Sequence, residues 1–228
     1  MYRKSRNGYR DNEHTESEAQ SVTVSYESRK FSVRIEWARA KYQYRIPGPL
    51  TDSLFNTDPT QATRSRNYFS PDIHVPSVTL NWQLAYQTKL QLVTSAVLGK
   101  RNSVQFDKPS NVRDTINAST LQYNNRQVDI DQFNSYTAEL RLLQAYRLGK
   151  QTSTLVAGMQ YMNNDLHRTQ LGVGTNGSDY DLTLLSPVWG RDVHLKTKNV
   201  AFFAENKFQL LHNLSVNAGA RVKAVKQI

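Results

Sequence analysis

The feature that most constrains this chain is the spacing between its apolar segments, which alternates strictly between very short and very long. Turn-like breaks fall near Ser28 to Lys30, Gln87 to Thr88, Gly149 to Gln151 and Leu211 to Asn213. Between them lie polar stretches of roughly 30 residues, Arg45 to Val75, Lys100 to Ser135 and Leu166 to Lys198, so the short turns recur about every 60 residues. Loops in compact soluble domains mostly run about 4 to 6 residues, and long structureless ones are uncommon. Long loops gathered at one end, with tight turns at the other, are the pattern of an outer-membrane barrel built from strands of about 10 alternating residues.

The segments themselves have period two. Val78, Leu80, Trp82, Leu84 and Tyr86 face one way, and Ser77, Thr79, Asn81, Gln83 and Ala85 face the other. Leu214, Val216, Ala218, Ala220 and Val222 alternate with Ser215, Asn217, Gly219 and Arg221 in the same manner. Phe31, Val33, Ile35 and Trp37 alternate with Ser32, Arg34 and Glu36, after which the phase slips near Ala38 to Ala40, as at a β-bulge or where a strand leaves the membrane. Tyr136 to Leu142 and Leu155 to Tyr161 repeat the pattern, Val22 to Tyr26 begin it, and Leu90 to Leu98 and Val200 to Leu210 follow it less cleanly. The expected fold is all-β: an antiparallel transmembrane β-barrel segment of about eight strands, with short periplasmic turns and long extracellular loops. Arg34, Glu36, Asn81, Gln83, Glu139, Arg141, Ser215 and Arg221 would then face a wet lumen.

Composition narrows the alternatives. Only 38% of the residues are hydrophobic, and no stretch approaches the ~18 consecutive apolar residues of a membrane-spanning helix. A barrel strand shows lipid only with every second side chain, so it escapes that test. There is no cysteine, hence neither a disulfide framework nor a thiolate metal site. Met1 to Ala19 is polar and charged and lacks the apolar core of a secretory signal. The chain is therefore expected to be cytoplasmic or an internal part of a longer protein.

No catalytic signature emerges. Gly172, Gly174 and Gly177 spell GxGxxG, but Ser178-Asp179-Tyr180-Asp181 and Pro187 follow where a helix would be needed, so a glycine-rich external loop is the better reading. His14, His74, His167, His194 and His212 show no ligand spacing. No GxSxG elbow occurs, and Asp114, Asp129, Asp131 and Asp179 form no pair that spacing alone defines. No enzyme, cofactor or metal site is expected. The net charge of +10 makes an anionic partner reasonable, although the basic residues are dispersed and Arg3, Lys4 and Arg6 read as a solvated terminus. Arg64, Arg66, Tyr68 and Phe69 come nearest to a nucleic-acid platform, but they lie in a loop, and nucleic acid is not the expected partner. Guanidinium groups beside tyrosine suit carboxylates and other oxyanions, which makes an anionic chelate the natural ligand class.

The loop text carries a family resemblance. Tyr44-Arg-Ile-Pro-Gly-Pro-Leu-Thr-Asp52 and Gln61-Ala-Thr-Arg-Ser-Arg-Asn-Tyr-Phe-Ser-Pro-Asp72 resemble the barrel of TonB-dependent receptors of the ferric dicitrate transporter type. So do Ser95 to Gly99, Ser103 to Phe106, Gln127 to Asp131 and Thr197 to Asn206, and the likeness runs from about Gly8 to Val222. The resemblance implies a bacterial outer-membrane receptor that imports an anionic ferric chelate, siderophore or citrate-like, with outer-membrane lipid around it and the TonB complex acting through a plug. Such barrels have about 22 strands and a plugged lumen. The resemblance thus divides the chain into the end of an extracellular loop (1–20), a partial receptor barrel (21–222) and an atypical tail (223–228), with the plug absent. A truncated or frameshifted reading frame would account for that tail. Arg45, Arg64, Arg66 and Tyr68 are the expected ligand-binding residues. A partial sheet leaves strand edges open, so the isolated chain is expected to be inactive in transport. Two other architectures stay in view: a self-contained eight-stranded outer-membrane barrel and a soluble β-sandwich binding module.

Overall fold

A computed structural model describes residues 1–227. It is a single antiparallel sheet of nine strands in chain order, each paired with its sequence neighbour. The strands are β1 (Tyr2–Asn7), β2 (His14–Glu27), β3 (Phe31–Arg45), β4 (Tyr68–Ala85), β5 (Thr88–Gln105), β6 (Gln127–Leu148), β7 (Gln151–Val173), β8 (Arg191–Leu211) and β9 (Leu214–Gln227). One short helix, α1 (Asp52–Thr57), interrupts the β3–β4 connection and is capped by the Thr51 side chain accepting from the Leu54 amide. Among the described residues β1 and β9 do not pair with each other, so the sheet is open. That single open layer matches neither a closed eight-stranded barrel nor a two-sheet sandwich.

The alternating rhythm of connections holds, but the strands are longer and the loops shorter than the sequence implies. The strands β4 to β8 run 18 to 23 residues, about twice what a tilted strand needs to cross a bilayer. Hydropathy alternation fades where both faces are wet, so the outer halves of the strands carry no period-two signal. The same reasoning accounts for residues 1–20, expected as a loop end but containing β1 and the first half of β2, and for the tail, which continues β9 in register with β8 as far as Gln227. Near Ala38 to Ala40 the pairing of β3 with both neighbours is continuous, so no bulge lies there. The apolar row of β3 simply gives way to Arg39 and Lys41 where the strand outruns its apolar band.

Register fixes the two faces. Val33, Leu80, Leu92, Leu140 and Met159 lie side by side across five strands, with Phe202 next in line. The opposite face carries a polar ladder: Asn81 accepts from Gln91 at 2.9 Å, and Glu139 accepts from Gln160 at 2.9 Å and from Arg141. Arg221 extends this row by donating to Gln160 at 2.6 Å. The apolar face is open; Trp82 is 51% and Phe202 59% exposed.

The short-turn end is closed locally by repeated devices. Gln83 and Gln209 each sit at a bulge just before a turn, and each side-chain amide donates to the turn's own carbonyls, Gln83 to Ala85 at 2.6 Å and Gln209 to Leu211 at 2.7 Å. At the β6–β7 turn Gly149 takes φ +63°, a conformation that costs glycine nothing.

Candidate functional site

Most of the buried residues lie at the long-loop end. Tyr68, Val104, Val128 and Gly172 stand next to one another on β4, β5, β6 and β7, and Val104 and Val128 are wholly buried. The β7–β8 connection covers this row. Trp189 and Leu184 crowd Gly172 so closely that a Cβ there would meet Trp189 at 2.7 Å, and Gly174 leaves the same narrow gap above Val128. Gly172 and Gly174 of the GxGxxG string therefore serve loop packing, while Gly177 has room for a side chain.

Loops carry backbone carbonyls with no strand partner, and burying such groups unsatisfied is costly. In this chain arginine supplies the missing donors. Arg10, in the β1–β2 connection, donates to the Gly48 carbonyl at 2.6 Å and to that of Gln61. Arg64 donates to the carbonyls of Phe106, Thr63, Val112, Lys108 and Pro109, which uses every donor a guanidinium has. Arg66 grips Asp114 through two bonds of 2.9 and 2.6 Å, reaches the carbonyls of Asn176, Gly177 and Asn124, and lies 4.1 Å from the Tyr123 ring centre. Arg126 completes the set by donating to the carbonyls of Arg66 at 2.9 Å and Thr175.

Arg64, Arg66 and Arg126 are each 1% exposed, and Asp114 is the carboxylate buried among them. Burial pushes the guanidinium pKa values of Arg64 and Arg126 below their ordinary range, and the neighbouring Arg66 charge lowers that of Arg126 further. The long-loop end thus concentrates positive charge behind a closed surface. The Arg126 Nη2 is buried without a partner among the described residues.

The four residues expected to bind ligand have different surroundings. Arg64 and Arg66 are enclosed with all their donors engaged. Tyr68 is 5% exposed, and its hydroxyl donates to the Ser178 carbonyl at 2.8 Å. Arg45 is exposed, lies 5.6 Å from the Tyr68 ring centre and reaches Asn12 at 3.3 Å. It lines a cleft of about 210 Å³ together with His14, Glu16, Gln43, Tyr44, Tyr68, Asp179 and Tyr180. Arg126 carries no signal in the sequence, where it is one arginine in an asparagine-rich loop with no motif around it.

Two further groupings depend on register. Asp131, 3% exposed, takes bonds from Arg101 and Arg168 on the strands either side of it. His167 and His194, widely separated in sequence, are directly opposed on β7 and β8, with ring centres 4.9 Å apart, and each holds an aspartate, Asp192 and Asp165. Among the described residues no three His, Asp or Glu side chains converge as a metal site.

Comparison with known proteins agrees with this architecture. No curated protein sequence matches the chain. Among solved structures, the unliganded ferric citrate transporter FecA superposes with a TM-score of 0.79 at 16% identity, covering 97% of this chain and 31% of that one. BauA, the ferric preacinetobactin receptor of Acinetobacter baumannii, superposes at 0.71 and 12% identity, covering 99% and 36%. The P. aeruginosa receptor FpvA bound to a heterologous pyoverdine superposes at 0.64 and 13% identity, covering 99% and 32%. The chain spans about a third of the length of these receptors. At such identities the likeness establishes the fold. The family model for the TonB dependent receptor-like β-barrel matches residues 4–228, and the chain belongs to that family.

Proposed function

We propose that this chain forms part of the wall and outer rim of a bacterial outer-membrane, TonB-dependent receptor, and that its long-loop end helps capture an anionic ferric chelate for uptake. The observation that carries this reading is the enclosed guanidinium cluster of Arg64, Arg66 and Arg126, with Asp114 as its buried counter-charge. Such a cluster projects a positive potential through the closed loops, and charge set around a cleft raises the local concentration of an oppositely charged ligand. The enclosed arginines shape and charge the rim; direct contact falls to exposed groups, with Arg45 and the tyrosine-lined cleft beside it as the first candidates. This divides the expected binding set. Arg45 touches ligand, whereas Arg64, Arg66 and Tyr68 hold the surface that presents it. The fold and family membership support the reading, as does the ligand class named for FecA, BauA and FpvA.

The test uses the intrinsic fluorescence of Trp189, which packs at the loop end. The chain folded in detergent micelles is titrated with ferric citrate, a ferric hydroxamate and a ferric catecholate, with the iron-free chelators as controls. Saturable quenching by at least one ferric chelate, weakened severalfold in Arg45→Ala, is expected. No saturable response to any of the three contradicts the proposal.

A further inference from the structure

Register places two imidazoles face to face. His167 on β7 lies directly opposite His194 on β8, on the face that carries the opposed Met159 and Phe202. Each histidine is eight residues along its strand from that apolar pair, which is about 27 Å at the rise of an antiparallel strand. Beyond Asn163 on β7 and Lys198 on β8 this face is polar, so the imidazoles stand outside the apolar band. The rings are stacked with an interplanar angle of 27° and centres 4.9 Å apart. Side-chain exposures of 36% and 43% leave both open to a dissolved ion.

The hydrogen bonds of the pair decide which ring nitrogen carries the proton. The Nε2 of His167 is 2.7 Å from Asp192 Oδ1, and that of His194 is 2.6 Å from Asp165 Oδ1. A carboxylate only accepts, so each Nε2 donates, and in a neutral imidazole the lone pair is then on Nδ1. Neither Nδ1 has a hydrogen-bond partner among the described residues. A histidine that donates one ring N–H to a carboxylate and keeps the other nitrogen free is the arrangement of a metal ligand, since the carboxylate sets the tautomer and raises the basicity of the ligating nitrogen. Here it occurs twice, each strand supplying the carboxylate for the other strand's imidazole. The other charges on this face are Lys196, 3.9 Å from the second oxygen of Asp165, and further down Lys198, with Lys226 opposite it. Gln132, opposite His167 on β6, is neutral.

We propose that His167 and His194 form a binding site for a divalent transition-metal ion, held by the two Nδ1 atoms with water in the remaining positions and with Asp165 and Asp192 orienting the rings. Imidazole suits zinc, copper and nickel. A zinc–nitrogen bond is ~2.0–2.1 Å long, so one ion spans nitrogens up to about 4 Å apart, which a small tilt of the two rings provides. Among the described residues no third His, Asp or Glu side chain converges on the pair, which makes the site an exchangeable one. The ion joins β7 to β8 beneath the connection that covers the buried row of Val104 and Val128, and so clamps the base of that loop. The site is separate from chelate capture and does not rest on it.

The experiment is isothermal titration calorimetry of the full chain, folded in micelles of a neutral detergent and checked for β-sheet by circular dichroism. Zinc chloride is the titrant and magnesium chloride the control. Saturable binding of a single zinc ion is expected, with no response to magnesium, which takes oxygen ligands. Either His167→Gln or His194→Gln should abolish it. The double variant D165N/D192N should weaken it by about tenfold or more, and H74Q/H212Q should leave it unchanged. A signal that only halves in each single variant, or that falls equally in H74Q/H212Q, shows zinc on independent surface histidines and overturns the paired site. Unchanged affinity in D165N/D192N overturns the orienting role of the aspartates, and magnesium binding as tightly as zinc overturns the imidazole ligands. Absence of β-sheet removes the register that opposes the two rings and overturns the site with it. Trp189 quenching by ferric chelates is a separate readout, and its failure leaves the zinc result standing.

Discussion

The two ends of this sheet meet the same requirement, satisfying backbone groups where the strand ladder stops, in opposite ways. At the short-turn end the bonding stays short-range: Gln83 and Gln209 bond the carbonyls of their own turns, amides of the adjacent strand bond the Lys30 and Gln87 carbonyls, and most side chains there stay exposed. At the long-loop end the carbonyls are bonded by arginines from other loops. Arg64 holds the β5–β6 connection, Arg66 holds it and the β7–β8 connection together, and Arg126 returns to Arg66. Local closure ties each turn only to itself and to the strand next to it in the ladder. Cross-linked closure makes one cooperative cap, in which a single lost side chain is felt by three loops.

The sharpest way to break this contrast is to remove the arginine that touches most loops. Arg66→Met leaves Asp114 buried without its counter-charge, a change that typically costs about 3–5 kcal/mol. Amide hydrogen exchange in 106–126 and 174–190 should accelerate together, while the hairpin at 83–88 is unaffected. Replacing both partners, Arg66→Met with Asp114→Leu, should recover most of the loss, since a buried ion pair exchanged for apolar groups is often close to neutral. Protection that falls in one loop only would mean the cap is not cooperative.

A second substitution pair sharpens the distinction between the faces joining the two ends. Leu80→Lys places a charge on the apolar row and is expected to cost about 2–4 kcal/mol in a bilayer, less if Leu80 lies near an interface. Thr79→Lys, one residue away on the polar face, should be nearly neutral. Denaturant titration of folding into lipid vesicles measures both, and equal costs would remove the assignment of faces.

The smallest expected effect is one of pH. Asp181, in the β7–β8 connection, accepts bonds from Thr183 and from the Thr175 hydroxyl at 2.9 Å, and these hold its carboxyl below the ordinary aspartate range. A carboxyl with a lowered folded pKa contributes its stabilisation above the unfolded value and loses it as pH falls through the folded one. Acidification below the ordinary aspartate range should therefore loosen this loop slightly, read as a change in Trp189 fluorescence that Asp181→Ala abolishes. The short-turn end should show no matching transition.

The same contrast governs how much was legible in the sequence. The strand faces from Val78 to Tyr86 and from Tyr136 to Leu142 can be read because one face is apolar and the other polar, which imposes an alternation. β1 and the outer halves of β4 to β8 could not, because both faces there are polar. Arg64 and Arg66 were recognisable as unusual loop arginines, but sequence shows a charge and not whether its donors are already engaged. Their surroundings are set by carbonyls such as those of Val112 and Asn176, far away along the chain. Arg126 and the opposed pairs His167–His194 and Lys198–Lys226 become visible only once the register of β6 to β9 is known.

The central claim is that one face of this sheet meets lipid while its long-loop end projects beyond the membrane. The chain has no cysteine, so single cysteines can be placed at positions 77 to 83 of β4 and at 112 in the β5–β6 connection without a background substitution. Nitroxide labels on these sites, in the chain reconstituted into lipid vesicles, report accessibility to oxygen, which partitions into lipid, and to a water-soluble nickel chelate. The expected result is a period-two pattern, with 78, 80 and 82 accessible to oxygen, 77, 79, 81 and 83 to the nickel chelate, and 112 in water. Uniform water accessibility along β4, or the opposite phase, would contradict the account.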